Sequence, residues 1–240
     1  MLTYLRRLNV CATVNVQKLF YKRDLPHWHP PGASIFLTWR LYGSLPAIAV
    51  KRLIELRRLL EREIPRVSEA KYDFQTRQYK KLFAATDSIL DRAESGPLWL
   101  KNPQIAAIVV DALLSRYANL YHLWSFVVMA NHIHVLLRPK LMELMDELEP
   151  VVQDLPRITK RLKGATAREA NRLLGRTGHS FWEEECFDHW VRTDNEFYRV
   201  VTYIENNPVA AGLVKRAEDW PWSSASERIR RGYSKIKSLT

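Results

Sequence analysis

Two histidines separated by a single residue, His132-Ile133-His134, open the apolar run HIHVLLRP at 132–139. In a strand, residues i and i+2 share a face, so both imidazoles project side by side while Ile133 and Val135 turn toward a core. Neutral imidazole is a good ligand for divalent metals, and two neighbouring imidazoles supply half of a metal site. On a solvated sheet face the same pair would be two unrelated polar residues. A second pairing lies in TYIENNPVAAGLV at 202–214, where Asn207 follows Tyr203 by four residues. On a helix these two share a face while Glu205 points elsewhere. A phenol beside a carboxamide offers a nucleophile and a polar ligand; the plainer alternative is a core tyrosine and a C-terminal cap.

Two further groupings bear on function. Arg157, Lys160, Arg161, Lys163, Arg168, Arg172 and Arg176 recur mostly three or four residues apart, and Glu169 is the one acid between 155 and 182. Such a stripe is either a solvated helix face or a track for phosphates, with Phe181, Trp182 and Trp190 nearby for base stacking. Cys186 and His189 have metal-ligand spacing and, with His132 and His134, would make a tetrahedral zinc site. Crowding by Phe181, Trp182, Phe187 and Trp190 favours Cys186 as a small buried apolar group instead. Glu183, Glu184, Glu185 and Asp188 are alternative oxygen donors.

The elements that must position these groups are legible from periodicity. SIFLTWRLYG (34–43) reads as a buried strand, and 47–63 as an amphipathic helix. A second helix covers 70–95, closing at Ser95-Gly96-Pro97, and a third covers 102–119 with Pro103 in its first turn. YHLWSFVVM (121–129) and HIHVLLRP form a hairpin across Ala130-Asn131. A long helix is expected over 141–174, interrupted at Pro156 and Gly164, then a loop over 175–181. The last main helix, 194–207, should start at Asp194 or Asn195 and stop before Pro208. Strands and helices are mixed around a central hairpin, which predicts one α+β domain with helices packed on a small antiparallel sheet.

Composition narrows the partners. The chain has 240 residues, 47% hydrophobic and 26% charged, with a formal net charge of +11, so a polyanion is the first partner to consider. Two cysteines make no disulfide framework. No apolar run approaches the roughly 20 residues of a membrane helix. A cytoplasmic protein with no membrane partner is expected.

Several motifs in order resemble one family. VVMANHIHVLLRP (127–139) is similar to the histidine–hydrophobic–histidine motif of HUH-type single-tyrosine transposases, and YIENNPVAAGLV (203–214) to their tyrosine-helix motif. From LPHWHPPG (25–32) to WPWSS (220–224), including GRTGHSFWEEECFDHWVR (175–192), the chain resembles the REP-associated tyrosine transposase branch. Ala130 stands where that branch commonly has proline.

The resemblance implies a ferredoxin-like or RRM-like sheet with a helical insertion at about 47–95, within a catalytic domain at 25–224. Residues 1–24 would be an N-terminal extension and 225–240 a basic tail. It further implies that His132 and His134 hold Mg²⁺ or Mn²⁺, with Asn207 in the place of a third, polar ligand. Tyr203 would attack single-stranded DNA, expected to be hairpin-forming, leaving a 5′-phosphotyrosine and a free 3′-hydroxyl. By analogy, a homodimer would handle two strand ends. Two other classes compete: an inactive, domesticated nucleic-acid-binding protein of the same fold, and a zinc hydrolase using Cys186 and His189.

Overall fold

β-Branched and aromatic residues build four long strands: β1 (Ser34–Leu41), β2 (Tyr121–Val128), β3 (His132–Pro139) and a later strand at Trp182–Val191. The computed structural model describes residues 32–142, 151–152 and 155–230. The expected N-terminal extension, and the basic tail beyond 230, lie outside the described residues. After β1 come α1 (Ala47–Glu61) and α2 (Lys71–Arg92), then α3 (Pro103–Asp111), which runs on into a π-helical turn at Ala112–Arg116. A two-residue pair, β4 (Leu141–Met142) and β5 (Val151–Val152), precedes α4 (Leu155–Leu173). The strand at Trp182–Val191 is β6, followed by α5 (Asp194–Ala210) and α6 (Ser224–Arg230).

The main sheet is antiparallel with order β2-β3-β1-β6. Setting aside the β4–β5 pair and the α1–α2 insertion, β1-α3-β2-β3-α4-β6 is the βαββαβ arrangement of a ferredoxin-like fold. Strand alternation then divides the side chains. Ile35, Leu37, Trp39, Ile133, Val135 and Leu137 face one core with α3 and α4. Phe36, Leu136, Phe187, Val201 and Ile204 face the other, joined by Tyr79 and Phe83 of α2. The crossover helices therefore cover one face, and α2 and α5 cover the opposite one. Leu53, Leu60, Leu82 and Leu90 zip α1 to α2 as a satellite core.

Three expectations need correction. No element was expected at Trp182–Val191, where Glu183-Glu184-Glu185 breaks any hydrophobic alternation. Pairing of Cys186–Val191 and of Trp182 with β1 makes it a strand nonetheless, and the three glutamates fall at a register shift between them. The expected helix over 141–174 begins only at Leu155, so Pro156 lies in the first turn, where its missing N–H costs nothing, and Gly164 does not interrupt it. Helix α5 starts on Thr193, whose hydroxyl accepts from Glu196 N–H, and runs through Pro208 to Ala210. Only one intrahelical donor is lost that near the end. The chain then leaves the helix through Gly212 at φ +69°.

Gly96 marks a close approach. A Cβ there would stand 2.8 Å from the carbonyl oxygen of Gly43, so glycine lets the exit of α2 pack on the turn leaving β1. The WPWSS segment covers the edge strand β2. Trp220 Nε1 donates to the Val128 carbonyl (3.0 Å), Val128 N–H donates to the Trp222 carbonyl (2.8 Å), and Ser223 bridges Val127.

Candidate active site

His132 and His134 do share a face, but it is not solvated: both are fully buried under α2 and α5. Each ring is set from behind. Asn131 Nδ2 donates to the Leu90 carbonyl (3.0 Å), which fixes the amide so that its oxygen faces His132 Nδ1 at 2.7 Å. The proton of His132 is thereby held on Nδ1, leaving the lone pair on Nε2. Thr38 on neighbouring β1 places its hydroxyl 2.7 Å from His134 Nδ1. The two Nε2 atoms meet at 3.1 Å.

What faces these nitrogens comes from the insertion. Asp87 and Asp91 are one turn apart on α2. Asp91 Oδ1 lies 3.4 Å from His132 Nε2, and Asp87 Oδ1 lies 3.3 Å from His134 Nε2. Ligand atoms of all four side chains fall within 4.8 Å of one another. Asp87 Oδ1 and Asp91 Oδ1 are both buried with no hydrogen-bond partner. Two imidazole lone pairs and two unpartnered carboxylate oxygens repel one another unless a cation or protons intervene. Accordingly, burial pushes the Asp87 carboxyl up to about 7, with Asp91 adding to the shift and His132 opposing it. Burial, and then His132, hold His134 well below the usual histidine range. The donor set fits a divalent metal with mixed nitrogen and oxygen ligation.

Tyr203 and Asn207 meet the same cluster from α5. The Tyr203 hydroxyl donates to Asp87 Oδ2, and its ring lies edge-on to His134 with centroids 5.4 Å apart. Tyr203 keeps 37% of its surface exposed, so it stands at the mouth of the site while the histidines form its floor. Asn207 is buried; its Nδ2 donates to Asp91 Oδ2 at 3.4 Å, and its Oδ1 has no partner. Glu205 points the other way, accepting from Ser224 Oγ at 2.6 Å on the α6 side. A cleft of about 430 Å³ opens over Asp87, Asp91 and Tyr203.

The structure thus brings together His132, His134, Tyr203 and Asn207. It adds Asp87 and Asp91, which sequence reasoning missed; two aspartates four apart on a helix in FAATDSILDR were the one signal for them. Glu183, Glu184, Glu185 and Asp188 take no part in the four-residue cluster. Glu183 pairs with Arg40 at 3.2 Å instead. The Cys186–His189 zinc arrangement does not form either: His189 Nε2 bonds Glu196 at 2.8 Å, and Cys186 packs against the α3–α4 core. The basic residues of α4 lie on the opposite side of the sheet from Tyr203. Arg157, Lys160, Arg161, Arg168 and Arg172 are exposed there. Lys163 donates to the carbonyls of Glu183 and Glu184 at 2.5 and 2.6 Å, and the Arg176 guanidinium lies 4.0 Å from the Trp99 ring centroid. These two hold the fold together.

Known proteins resemble this chain in part of its sequence and in its fold. No family model matches the chain. Over 53 residues it is 34% identical to the REP-associated tyrosine transposase of Escherichia coli (strain K12), a stretch covering 22% of this chain and 32% of that protein. The chain thus matches only about a third of the length of this curated relative. The solved structure of the REP-associated tyrosine transposase bound to a REP hairpin aligns with a TM-score of 0.50, over 90% of this chain and 91% of that one, at 15% identity. The fold is that of a REP-associated tyrosine transposase. Sequence and architecture both resemble that branch, as the motif order implied, and the ferredoxin-like sheet with packed helices is present. Within this fold, the Asp87-Asp91-His132-His134 cluster is a group of ligand atoms that could hold a metal ion. Among the described residues, no helix is long and apolar enough to cross a membrane.

Proposed function

We propose that the protein is a metal-dependent nuclease and transposase that cuts and rejoins single-stranded DNA through Tyr203. One observation carries this reading. The Tyr203 hydroxyl sits at the cleft mouth, bonded to one oxygen of Asp87 whose other oxygen faces the histidine pair. A nucleophile and a metal-ligand cluster are thus coupled through one carboxylate. That a protein of similar fold is solved bound to a REP hairpin supports a hairpin-forming single strand as the DNA.

His132, His134, Asp87 and Asp91 would hold Mg²⁺ or Mn²⁺, with Asn207 Oδ1 as a further donor. A divalent ion there supplies positive charge to the phosphate oxygens as negative charge builds up in the transition state. The protein's own residues do the rest. An ordinary tyrosine has a pKa near 10 and is a poor nucleophile. Asp87 accepts the hydrogen bond of the Tyr203 hydroxyl and is the group placed to take its proton. Tyr203 Oη forms a bond to phosphorus, the bond to the 3′-oxygen breaks, and that oxygen leaves as a hydroxyl once protonated. The 5′-phosphotyrosine conserves the ester, so a second 3′-hydroxyl can attack it and reseal the strand without ATP. His132 and His134 stay oriented by Asn131 and Thr38. The exposed cations of α4, behind the sheet, would contact nucleic acid beyond the segment in the cleft, and two copies of the chain would handle two strand ends.

The test is incubation with single-stranded hairpins from the DNA flanking its own gene, with Mg²⁺ or Mn²⁺ and with EDTA. A metal-dependent covalent protein–DNA adduct is expected. Binding without any adduct would identify an inactive nucleic-acid-binding protein of the same fold.

A further inference from the structure

One face of α2 carries a continuous stripe: Asp73, Arg77, Lys80, Ala84, Asp87 and Asp91, spaced alternately four and three residues apart. That spacing draws a line nearly parallel to the helix axis. Its last two members line the Tyr203 cleft. Beyond Ala84 it enters a second cleft of about 530 Å³ between α2 and the β6–α5 junction. The two clefts meet at Ala84, which lines both and is exposed.

The charges along this line are graded. The Tyr203 cleft presents two carboxylates, and one cation, Arg92, among its lining residues. Arg92 reaches exposed Glu94 at 3.9 Å, a loose pair. Four cations, Arg77, Lys80, Lys81 and Arg192, line the second cleft against two carboxylates, Asp73 and Glu196. Lys80 can turn to a ligand without orphaning a carboxylate. Lys80 donates to Glu196 at 2.8 Å, but Glu196 also takes His189 Nε2 at 2.8 Å and Arg192 N–H at 3.0 Å. Arg192 reaches Asp73 at 3.7 Å, in a largely exposed pair.

Given the function proposed above, we propose that the strand being cut lies along α2. It would run from Arg92 beside Tyr203, over the low saddle at Ala84, to phosphate contacts with Lys80 and Arg192 in the second cleft. The seven helical steps from Lys80 to Asp87 span about 10 Å of helix, a length that a short stretch of nucleotides bridges. The exposed saddle is what admits the strand. A side chain as small as alanine leaves the two clefts joined, whereas a long or acidic one would close the passage or repel the backbone.

The decisive variant is Ala84→Glu, at an exposed helical position where folding is undisturbed. Its affinity for a fluorescent single-stranded oligonucleotide should fall roughly tenfold at low salt by like-charge repulsion, with Mn²⁺ affinity unchanged. Lys80→Ala should weaken binding for all sequences and lower the slope of log affinity against log salt by about one. Arg92→Ala should lower adduct yield with Mn²⁺ affinity retained. Wild-type binding by Ala84→Glu, with loss in an Arg161→Glu/Arg168→Glu double variant on α4, would place the strand on the other face and overturn the proposal. If wild-type protein forms no adduct, the catalytic reading fails, and the same binding series still decides the path.

Discussion

Tyr203 on α5 donates a hydrogen bond to Asp87 on α2, 116 residues earlier in the chain. This contact joins the tyrosine helix to the insertion directly over the histidine pair. Neither helix alone makes a site; their meeting does.

Tyr203→Phe removes the hydroxyl proposed as nucleophile and keeps the ring that packs against Phe36, Phe83 and His134. Adduct formation should fall by at least about 1000-fold, while oligonucleotide affinity changes little. Denaturing gels with labelled DNA read both. Undiminished cleavage by this variant would sink the assignment of Tyr203.

Asn131 touches neither metal nor DNA in this scheme; it orients His132 through a 2.7 Å contact. Asn131→Ala should weaken Mn²⁺ binding by roughly 10–100-fold, the usual cost of losing a partner behind a ligand. Titration calorimetry measures it, and an unchanged affinity would mean that His132 needs no such support.

Metal affinity should climb with pH. Burial raises Asp87 from 3.8 to about 7, so in the metal-free protein this group favours folding below about pH 4. That contribution is lost as pH rises from there through about 7, because the fold disfavours the charged carboxylate. The melting temperature of EDTA-treated protein should therefore drop across this window. Saturating Mn²⁺ should reverse the drop at pH 7 and above, since a ligating carboxylate must be ionised. Asp91→Asn should reduce the rescue. Parallel melting curves in EDTA and in Mn²⁺ that do not separate with pH would count against Asp87 as a ligand.

Ile133 lies between the two histidines on the opposite face of β3, fully buried against α3 and α4. Ile133→Ala should cost about 2–5 kcal/mol, lowering the melting temperature by roughly 5–15 °C. The histidines keep their register, so Mn²⁺ binding should persist at low temperature.

Much of this was legible because local rules and the fold agree. The period-two run at His132–Leu136 placed both imidazoles on one face. The i, i+4 relation of Tyr203 and Asn207 survived into the structure. Asp87 and Asp91 were not legible, because nothing local says that an inserted helix folds back over β3; tertiary contacts such as those of Phe83 with Phe36 and His134, and of Tyr79 with Phe187, do. β6 was hidden by three consecutive glutamates, which fall at the register shift between its two stretches of pairing with β1. The α4 cations could be read as a stripe, but which side of the sheet they occupy depends on the handedness of the crossover. Periodicity carries no information about that.

The four candidate ligands come from two segments, α2 before α3 and β3 after β2. A bound ion would therefore act as a reversible clasp across the intervening chain. Docking of the α1–α2 hairpin and ion uptake must then be thermodynamically linked: whatever tightens one tightens the other, to the same degree. The insertion is thus no detachable ornament on an independent catalytic core. Trimming it to a short loop would leave the histidine pair with half its ligands and Tyr203 without its partner. A minimal, engineered version of this protein would have to keep it.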